Sequence, residues 1–179
     1  MSTPITSYVK AALVNLLTDE TEGFNATIAP LCAEYGIDLF AMNWDPEGGQ
    51  YFPFWSAPDQ MDDSTPSVYP MVFVYGRSSF NTHRSMNRVF SGTVEIGLDF
   101  WVSSPGSTLL QAGLTLETTI TAIEEASNDL FYDANWPQSW GAYKCVCMPP
   151  AFNRGPIQPN GQEWRQNSRQ ALRFTLDNT

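Results

Sequence analysis

A long alternating segment near the middle of the chain constrains the fold more than any other feature. Residues 90–105 read FSGTVEIGLDFWVSSP. Phe90, Val94, Ile96, Leu98, Phe100 and Val102 fall on one face, and Thr93, Glu95, Gly97, Asp99, Trp101 and Ser103 fall on the other. Because the side chains of a strand alternate between the faces of a sheet, this pattern predicts one long strand buried on one face. Such strands are typical of antiparallel or mixed sheets.

Two helices are predicted before this strand. Residues 7–18 carry apolar residues at helical spacing, and Thr6 or Ser7 is the expected N-cap. Residues 27–35 predict a shorter helix that ends at Gly36, because glycine readily adopts the left-handed conformation that terminates helices.

A third, longer helix is predicted over residues 108–131, with Ser107 as its N-cap. Small and apolar residues recur there at spacings of three and four, as in an amphipathic helix. The expected inward stripe is Leu109, Gly113, Leu116, Ile120, Ile123, Ser127 and Leu130. Glu117, Glu124 and Glu125 are expected to face solvent. We expect Leu116, Ile120 and Ile123 to pack on the apolar face of the long strand.

Shorter segments predict the remaining strands, at residues 68–77, 143–148 and 164–176, with a further short one at 38–44. The strand at 68–77 and the long strand would form an extended antiparallel hairpin. This order of elements predicts the α+β class, with an antiparallel or mixed sheet of about four strands and helices packed on one face.

We expect residues 1–179 to form a single domain with two long loops, at 45–67 and 149–163. The first loop contains an aromatic cluster, Tyr51, Phe52, Phe54 and Trp55. These rings either fold back on the core of their own chain or pack on a neighbouring chain.

The chain carries a net charge of −10, and the acidic residues are concentrated in its first part. Residues 1–70 hold one basic residue and ten acidic ones. A nucleic-acid-binding protein needs a basic surface to neutralise phosphates, so this composition argues against that class.

Arginines are gathered at the expected tip of the hairpin. Arg77, Arg84 and Arg88 lie there, beside the single histidine, His83. Because arginine binds carboxylates through paired hydrogen bonds, we expect the tip to meet acidic groups of a neighbouring subunit or of the layer below. The alternative is a solvated loop whose charges contribute little.

The sequence contains little that indicates catalysis or metal binding. One histidine cannot supply a histidine-rich metal site, and common nucleotide-binding and hydrolase motifs are missing from the sequence. Cys145 and Cys147 share a strand face, but a metal site would need Cys32 and a fourth ligand. We therefore predict no enzymatic activity, no metal and no cofactor. The opening segment predicts a helix of the mature protein, and the odd number of cysteines favours a reducing cytosol over a disulfide framework.

Carbohydrate binding is an alternative from a different class of function. The candidate rings are Trp44, Trp55, Trp136, Trp140 and Trp164. Several of them would have to be exposed and coplanar to form a sugar-binding surface. Catalysis on a sugar is less well supported, because Glu95 and Asp99 lie roughly 13 Å apart along a strand, a loose spacing for a glycosidase pair.

The order of the segments resembles a known family. An opening helix, SYVKAALVNLL, is followed by a short helix, by PSVYPMVFVYG, and by the strand FSGTVEIGLDFWVS. That strand leads into the helix TLLQAGLTLETTITAIEEA, and RQALRFTLD closes the chain. This arrangement is similar to the tail terminator and tail-completion proteins of long-tailed bacteriophages, including the related head-to-tail joining proteins. The loops at 45–67 and 149–163 have no counterpart in that pattern.

The resemblance implies a structural virion protein. It implies a ring, usually a homohexamer, that caps the last layer of the tail tube and joins it to the neck or connector protein. It also implies synthesis in the host bacterial cytoplasm, no membrane partner, and a genome that passes through without specific binding. The alternative within structural proteins is another neck component, such as a connector adaptor.

A ring of this kind needs complementary patches on two sides of each subunit. An acidic N-terminal region and arginines of the hairpin tip and last strand, among them Arg154, Arg165, Arg169 and Arg173, would supply such a pair. The candidate interface residues are Arg77, Arg84, Arg88, Phe54, Trp55, Trp164 and Arg165.

Overall fold

The computed structural model describes residues 5–61, 68–81, 91–132 and 135–178. The α-helices in this part of the chain are α1 (Ile5–Leu17), α2 (Phe24–Tyr35) and α3 (Leu109–Leu130), and a 3₁₀-helix spans Pro58–Gln60. The strands are β1 (Tyr51–Phe52), β2 (Met71–Asn81), β3 (Gly92–Pro105), β4 (Gln138–Trp140), β5 (Tyr143–Arg154), β6 (Gln158–Asn160) and β7 (Glu163–Asn178).

The strands form one mixed sheet in the order β1-β2-β3-β7-β5-β4, with β6 paired to β7. All pairs are antiparallel except β1 with β2. The predicted α+β class is therefore confirmed, whereas the prediction of about four strands is wrong. The three additional strands, β1, β4 and β6, have only two or three residues each, which is too short for a period of two to be visible in the sequence.

The long alternating segment forms β3, in the middle of this sheet. It pairs with β7 from Gly92↔Leu176 to Pro105↔Glu163 and with β2 from Met71↔Trp101 to Asn81↔Gly92. The side chains from Val94 to Val102 on its apolar face are buried in the main core. The predicted hairpin therefore exists as β2 and β3. His83, Arg84 and Arg88 of its tip lie outside the described residues, as does Phe90 at the predicted start of the long strand.

The helices cover this apolar face of the sheet. Phe24 of α2 stacks on Phe100 of β3, with ring centroids 5.1 Å apart. In α3, Leu116, Ile120 and Ile123 are buried in the same core as Val94 and its neighbours, as the helical spacing predicted. Burial of large aliphatic side chains of this kind contributes roughly 1.5–3 kcal/mol each.

The sheet curls around α1. Thr6 packs against Gly76 of β2, while Tyr8 donates a hydrogen bond of 2.7 Å to the carbonyl oxygen of Trp140 in β4. These strands lie far apart in the strand order, so one helix can reach both only because the sheet bends around it.

The helix ends differ from the predicted ones in detail. Thr6 and Ser7 lie inside α1 and not at its cap. Thr108, not Ser107, caps α3, because its hydroxyl accepts a hydrogen bond from the Gln111 amide. Gly36 ends α2 as predicted, with φ 64° in the left-handed region.

The predicted strand at 38–44 is absent from the structure, which has no strand between α2 and β1. Asn25 explains the difference. Its side-chain oxygen accepts from the Met42 amide at 2.7 Å, and its side-chain amide donates to the Met42 carbonyl at 2.9 Å. A side chain thus satisfies the two backbone groups that a neighbouring strand would otherwise pair with.

The predicted loop at 149–163 is also wrong, because it contains the rest of β5 and all of β6. A register shift between Met148 and Ala151 accommodates Pro149 and Pro150 within β5. Proline cannot donate to the ladder, and it is tolerated at such bulges.

Glu124 of α3 is buried, contrary to the prediction that it faces solvent. It accepts hydrogen bonds from Arg154 Nη2 at 2.6 Å and from the Ser168 hydroxyl at 2.6 Å. The extension of β5 to Arg154 brings the guanidinium to the carboxylate, and the hydrogen bond raises the pKa of Arg154. Periodicity alone could not reveal a partner supplied by a distant strand.

Candidate functional site

The sheet face opposite the helices is here called the open face. It carries the second set of alternating β3 residues, from Thr93 to Ser103. A small second core lies on it, made of Phe52, Met71, Phe73 and Trp101. Phe52 and Phe73 stack with centroids 5.1 Å apart. The segment after β1 covers this core, and the rest of the open face carries charged side chains.

Asp99 and Glu95 are paired with arginines on this face. Arg169 Nη2 lies 3.2 Å from Asp99 Oδ2, and Asn167 Nδ2 donates to Asp99 Oδ1 at 2.7 Å. Glu95 is held between Arg77 at 3.0 Å and Arg173 at 3.4 Å. Each carboxylate is therefore bound by arginines of its own chain. The two carboxylates do not form a free catalytic pair.

The open face presents guanidinium groups to solvent while it buries their carboxylate partners. The Asp99 side chain is 1% exposed and that of Arg169 is 42% exposed. Arg77 and Arg173 are similarly half-exposed beside a largely covered Glu95. The exposed charged groups along this strip of the open face are therefore guanidiniums, although Asp99 neutralises Arg169 and Glu95 is shared by Arg77 and Arg173.

The aromatic cluster of the loop divides into two parts. Tyr51 and Phe52 form β1 and are buried, so they fold back on the core as one of the two alternatives predicted. Phe54 and Trp55 are half-exposed and project from the open face. Packing of these two rings on a neighbouring chain stays a prediction.

Trp55 is held in place by groups of the sheet. The Arg169 guanidinium carbon lies 5.8 Å from its ring centroid, and the Tyr75 ring meets it edge-on at 6.4 Å. Tyr75 in turn lies across Gly97, where any Cβ would overlap the ring. Burial raises the pKa of Tyr75. Phe54 and Trp55, here called the aromatic pair, therefore project from closely packed neighbours.

Trp164 and Arg165, two predicted interface residues, are engaged within the chain. The Trp164 indole donates to the Gly106 carbonyl at 3.2 Å. Arg165 is buried over the Trp101 ring, 5.4 Å from its centroid, and lies 3.8 Å from Asp59.

Arg77 lies within β2 and not at the hairpin tip, and it pairs with Glu95 of its own chain. Arg84 and Arg88 lie outside the described residues. Of the candidate interface residues that the structure describes, Arg77, Phe54 and Trp55 lie half-exposed on the open face.

A second surface was not anticipated from the sequence. A groove of about 520 Å³ lies between residues 36–40, the first half of α3 and the end of β3. Leu39 and Leu114 line it and are 72% and 63% exposed, and Leu110, one turn before Leu114, is 75% exposed. We call this surface the leucine groove.

The first turn of α3 is oriented differently from the sequence expectation. Leu109 was expected to face inward, but it is exposed, and Ala112 is buried there instead. A signal was present in the sequence, because Leu110 and Leu114 are four residues apart and lie off the inward stripe. Two apolar stripes on one helix indicate a second contact.

The cysteines are buried and none is in a disulfide. Cys145 and Cys147 share the helix-side face of β5, as predicted, and burial raises the pKa of Cys145 from its ordinary value of 9.0 to about 12. The part of the chain that the structure describes contains no group of three or more histidine, cysteine, aspartate or glutamate residues placed to hold a metal ion.

The tryptophans do not form a row of exposed rings. Trp136 and Trp140 are buried against Phe174, and Trp44 packs between Phe24 and Tyr51. Trp55 is the one exposed ring among the five candidates. The condition set for the carbohydrate-binding alternative is not met, and we do not propose it.

No helix within residues 5–61, 68–81, 91–132 and 135–178 combines the length and apolar character that crossing a membrane requires. The sequence matches no model of a known protein family, and no curated protein matches it.

Proposed function

We propose that this chain is a structural virion protein, the tail terminator of a long-tailed bacteriophage. In this role it forms a ring at the head-proximal end of the tail tube, stops tube growth and joins the tail to the neck. The order α1, α2, β2–β3 hairpin, α3 and β7 supports the proposal, because it follows the order of segments on which the resemblance rests.

The observation that carries the proposal is that, within the described residues, the α-helices all cover the same face of the sheet. Its other face presents Phe54, Trp55 and a strip of guanidinium groups. Subunits that join head-to-tail need two different surfaces on opposite sides. A sheet with an acidic helical layer on one side and arginines on the other meets this need.

The charge of the helical layer fits a channel for DNA. Residues 5–47 hold one basic and seven acidic residues, and α3 adds Glu117, Glu125 and Asp129, since Glu124 is buried against Arg154. Such a surface repels phosphates, so a genome would pass it without being held. The proposed partners are further copies of this chain, the tail tube protein and a neck protein, with no cofactor.

The mass of the purified chain in solution tests this proposal. At low and high concentration, analytical ultracentrifugation should find a closed ring of one size, a fixed multiple of the 20.0 kDa subunit. Negative-stain electron microscopy should show the same ring. A chain that remains a 20.0 kDa monomer at every concentration, alone and with tail tubes, contradicts the proposed function.

A further inference from the structure

We propose that Phe54 and Trp55 of one copy pack into the leucine groove of the next copy. The occupant of the groove is thus a second copy of this chain, and the inference rests on the proposed function because a ring requires such a contact. The aromatic pair and the groove form one heterologous interface, in which different surfaces of identical subunits meet.

The two surfaces match in shape and in apolar character. The aromatic pair projects half-exposed from a packed support, and the groove of about 520 Å³ is concave, with Leu39 and Leu114 on its walls. Aromatic rings each bury 150–250 Å² and are frequent anchors at the centre of interfaces.

The threonine hydroxyl groups in the groove are already used as hydrogen-bond donors within α3. Thr118 Oγ1 donates to the Leu114 carbonyl at 2.8 Å, and Thr119 Oγ1 donates to the Thr115 carbonyl at 2.8 Å. Thr115 Oγ1 donates to the Gln111 carbonyl at 3.4 Å. The helix backbone thus takes up the hydroxyl protons, and these side chains are not free to donate to a ligand.

The two surfaces occupy different places on the subunit. Phe54 and Trp55 contact Phe73 and Tyr75 on the open face. The groove is formed in part by α3, which packs on the opposite, helix-side face. Tyr69 and Ser103 also line the groove, so it lies at the end of the sheet, where its exposed leucines are accessible to a neighbouring copy.

Charge complementarity supports the same pairing. Among the described residues that line the groove, Asp38 is the charged one, and none is an arginine or lysine. Arg169 lies beside the Trp55 ring, with Arg77 and Arg173 further along the open face. Asp59, the carboxylate nearest in the chain to the aromatic pair, is paired with Arg165. Opposite charges around an apolar contact steer association and make it sensitive to salt.

The test compares two variants, Trp55→Asp and Leu114→Asp, with Tyr132→Asp as the control. Tyr132 is exposed but follows the far end of α3, roughly 33 Å from its start. Each of the first two variants should stay monomeric or associate at least about tenfold more weakly, the effect expected for a central interface residue. The control should assemble like the wild type.

Mixing the two defective variants gives the sharper result. The Trp55→Asp copy retains a groove and the Leu114→Asp copy retains the aromatic pair, so one intact contact forms. The mixture should therefore stop at the dimer, in sedimentation and in native mass spectrometry. If only one of the variants blocks assembly, the groove and the aromatic pair meet other partners and the proposal is wrong.

A cross-linking experiment covers the case in which an aspartate variant fails to fold. Trp55→Cys and Leu114→Cys copies, mixed and oxidised, should form a covalent dimer, against a background kept low by three buried native cysteines. A mixture of Trp55→Cys with Tyr132→Cys should not cross-link. If the wild type forms rings but the Trp55→Cys and Leu114→Cys copies do not cross-link, this contact is wrong and the proposed function stands. If the wild type never associates, both the contact and the proposed function are wrong.

Discussion

Asp99 of β3 and Arg169 of β7 lie directly opposite each other in the sheet, and their side chains form an ion pair of 3.2 Å on the open face. The carboxylate is 1% exposed and the guanidinium 42%. Asn167 completes the shell of Asp99 through a hydrogen bond of 2.7 Å. The pair joins the two longest strands and places a positive group beside Trp55.

Replacing Arg169 by alanine should destabilise the fold, because it leaves a buried carboxylate with Asn167 as its remaining donor. The free energy of unfolding should fall by about 2–4 kcal/mol. Breaking a fully buried ion pair costs about 3–5 kcal/mol, and the partial exposure of Arg169 to water reduces this cost. Urea denaturation measures it. Arg173→Ala is the matched control and should cost less than about 1 kcal/mol, because Glu95 keeps Arg77. Equal stability of both variants would show that Asp99 does not depend on Arg169.

Ile120→Ala should lower the free energy of unfolding by about 2–5 kcal/mol. The side chain is fully buried between α3 and the sheet, so its truncation leaves a cavity. Leu114→Ala on the same helix should change the stability of the monomer by no more than about 0.5 kcal/mol, because Leu114 is exposed. Thermal and urea unfolding of the two variants give the comparison, and an unchanged melting temperature for Ile120→Ala would refute the packing.

Gly97→Ala should destabilise the protein by about 1–3 kcal/mol, because the added methyl group overlaps the Tyr75 ring. The effect should depend on Tyr75. In a Tyr75→Ala background the space is open, and the same substitution should cost much less. A double-mutant cycle reads this coupling, and strictly additive changes would mean that Tyr75 does not lie on Gly97.

The stability of the protein should begin to fall as the pH rises above about 9. The folded-state pKa of Cys145 is raised to about 12 from an ordinary value of 9.0, so the unfolded chain loses its proton first. The contribution is complete below the unfolded pKa and is lost as the pH rises through the folded pKa.

Cys145→Ala should flatten the slope between about pH 9 and pH 10, while the tyrosines, whose ordinary pKa is about 10, contribute equally to the variant and the wild type. Urea titrations at these two pH values compare the variant with the wild type. The same slope in both would show that another group causes the loss of stability.

The main elements of the fold could be predicted where the pattern was long. The β3 alternation, the inward stripe of α3 from Leu116 onward and the stop at Gly36 are local signals, and the structure contains all three. The short strands and the extension of β5 depend on partners far away in the chain. The sequence therefore left them unresolved.

The candidate surfaces were only partly predictable, for a related reason. Half-exposed Phe54 and Trp55 belong to the aromatic cluster identified from the sequence, but the separation of Tyr51 and Phe52 into the core required β1 to pair with β2. The pairing of Glu95 and Asp99 with arginines follows from strand register, which composition does not reveal. The leucine groove needed residues 36–40 to meet α3 across the helix layer.

Electron microscopy of tail tubes polymerised with and without this protein tests the central claim most directly. The tube protein would come from the same phage genome, and the measured quantities are tube length and the occupancy of tube ends. We predict that the wild type sits as a ring at one end of each tube and stops further growth, while Trp55→Asp does so poorly. Tubes that grow to the same length with bare ends in the presence of the wild-type protein would contradict the account.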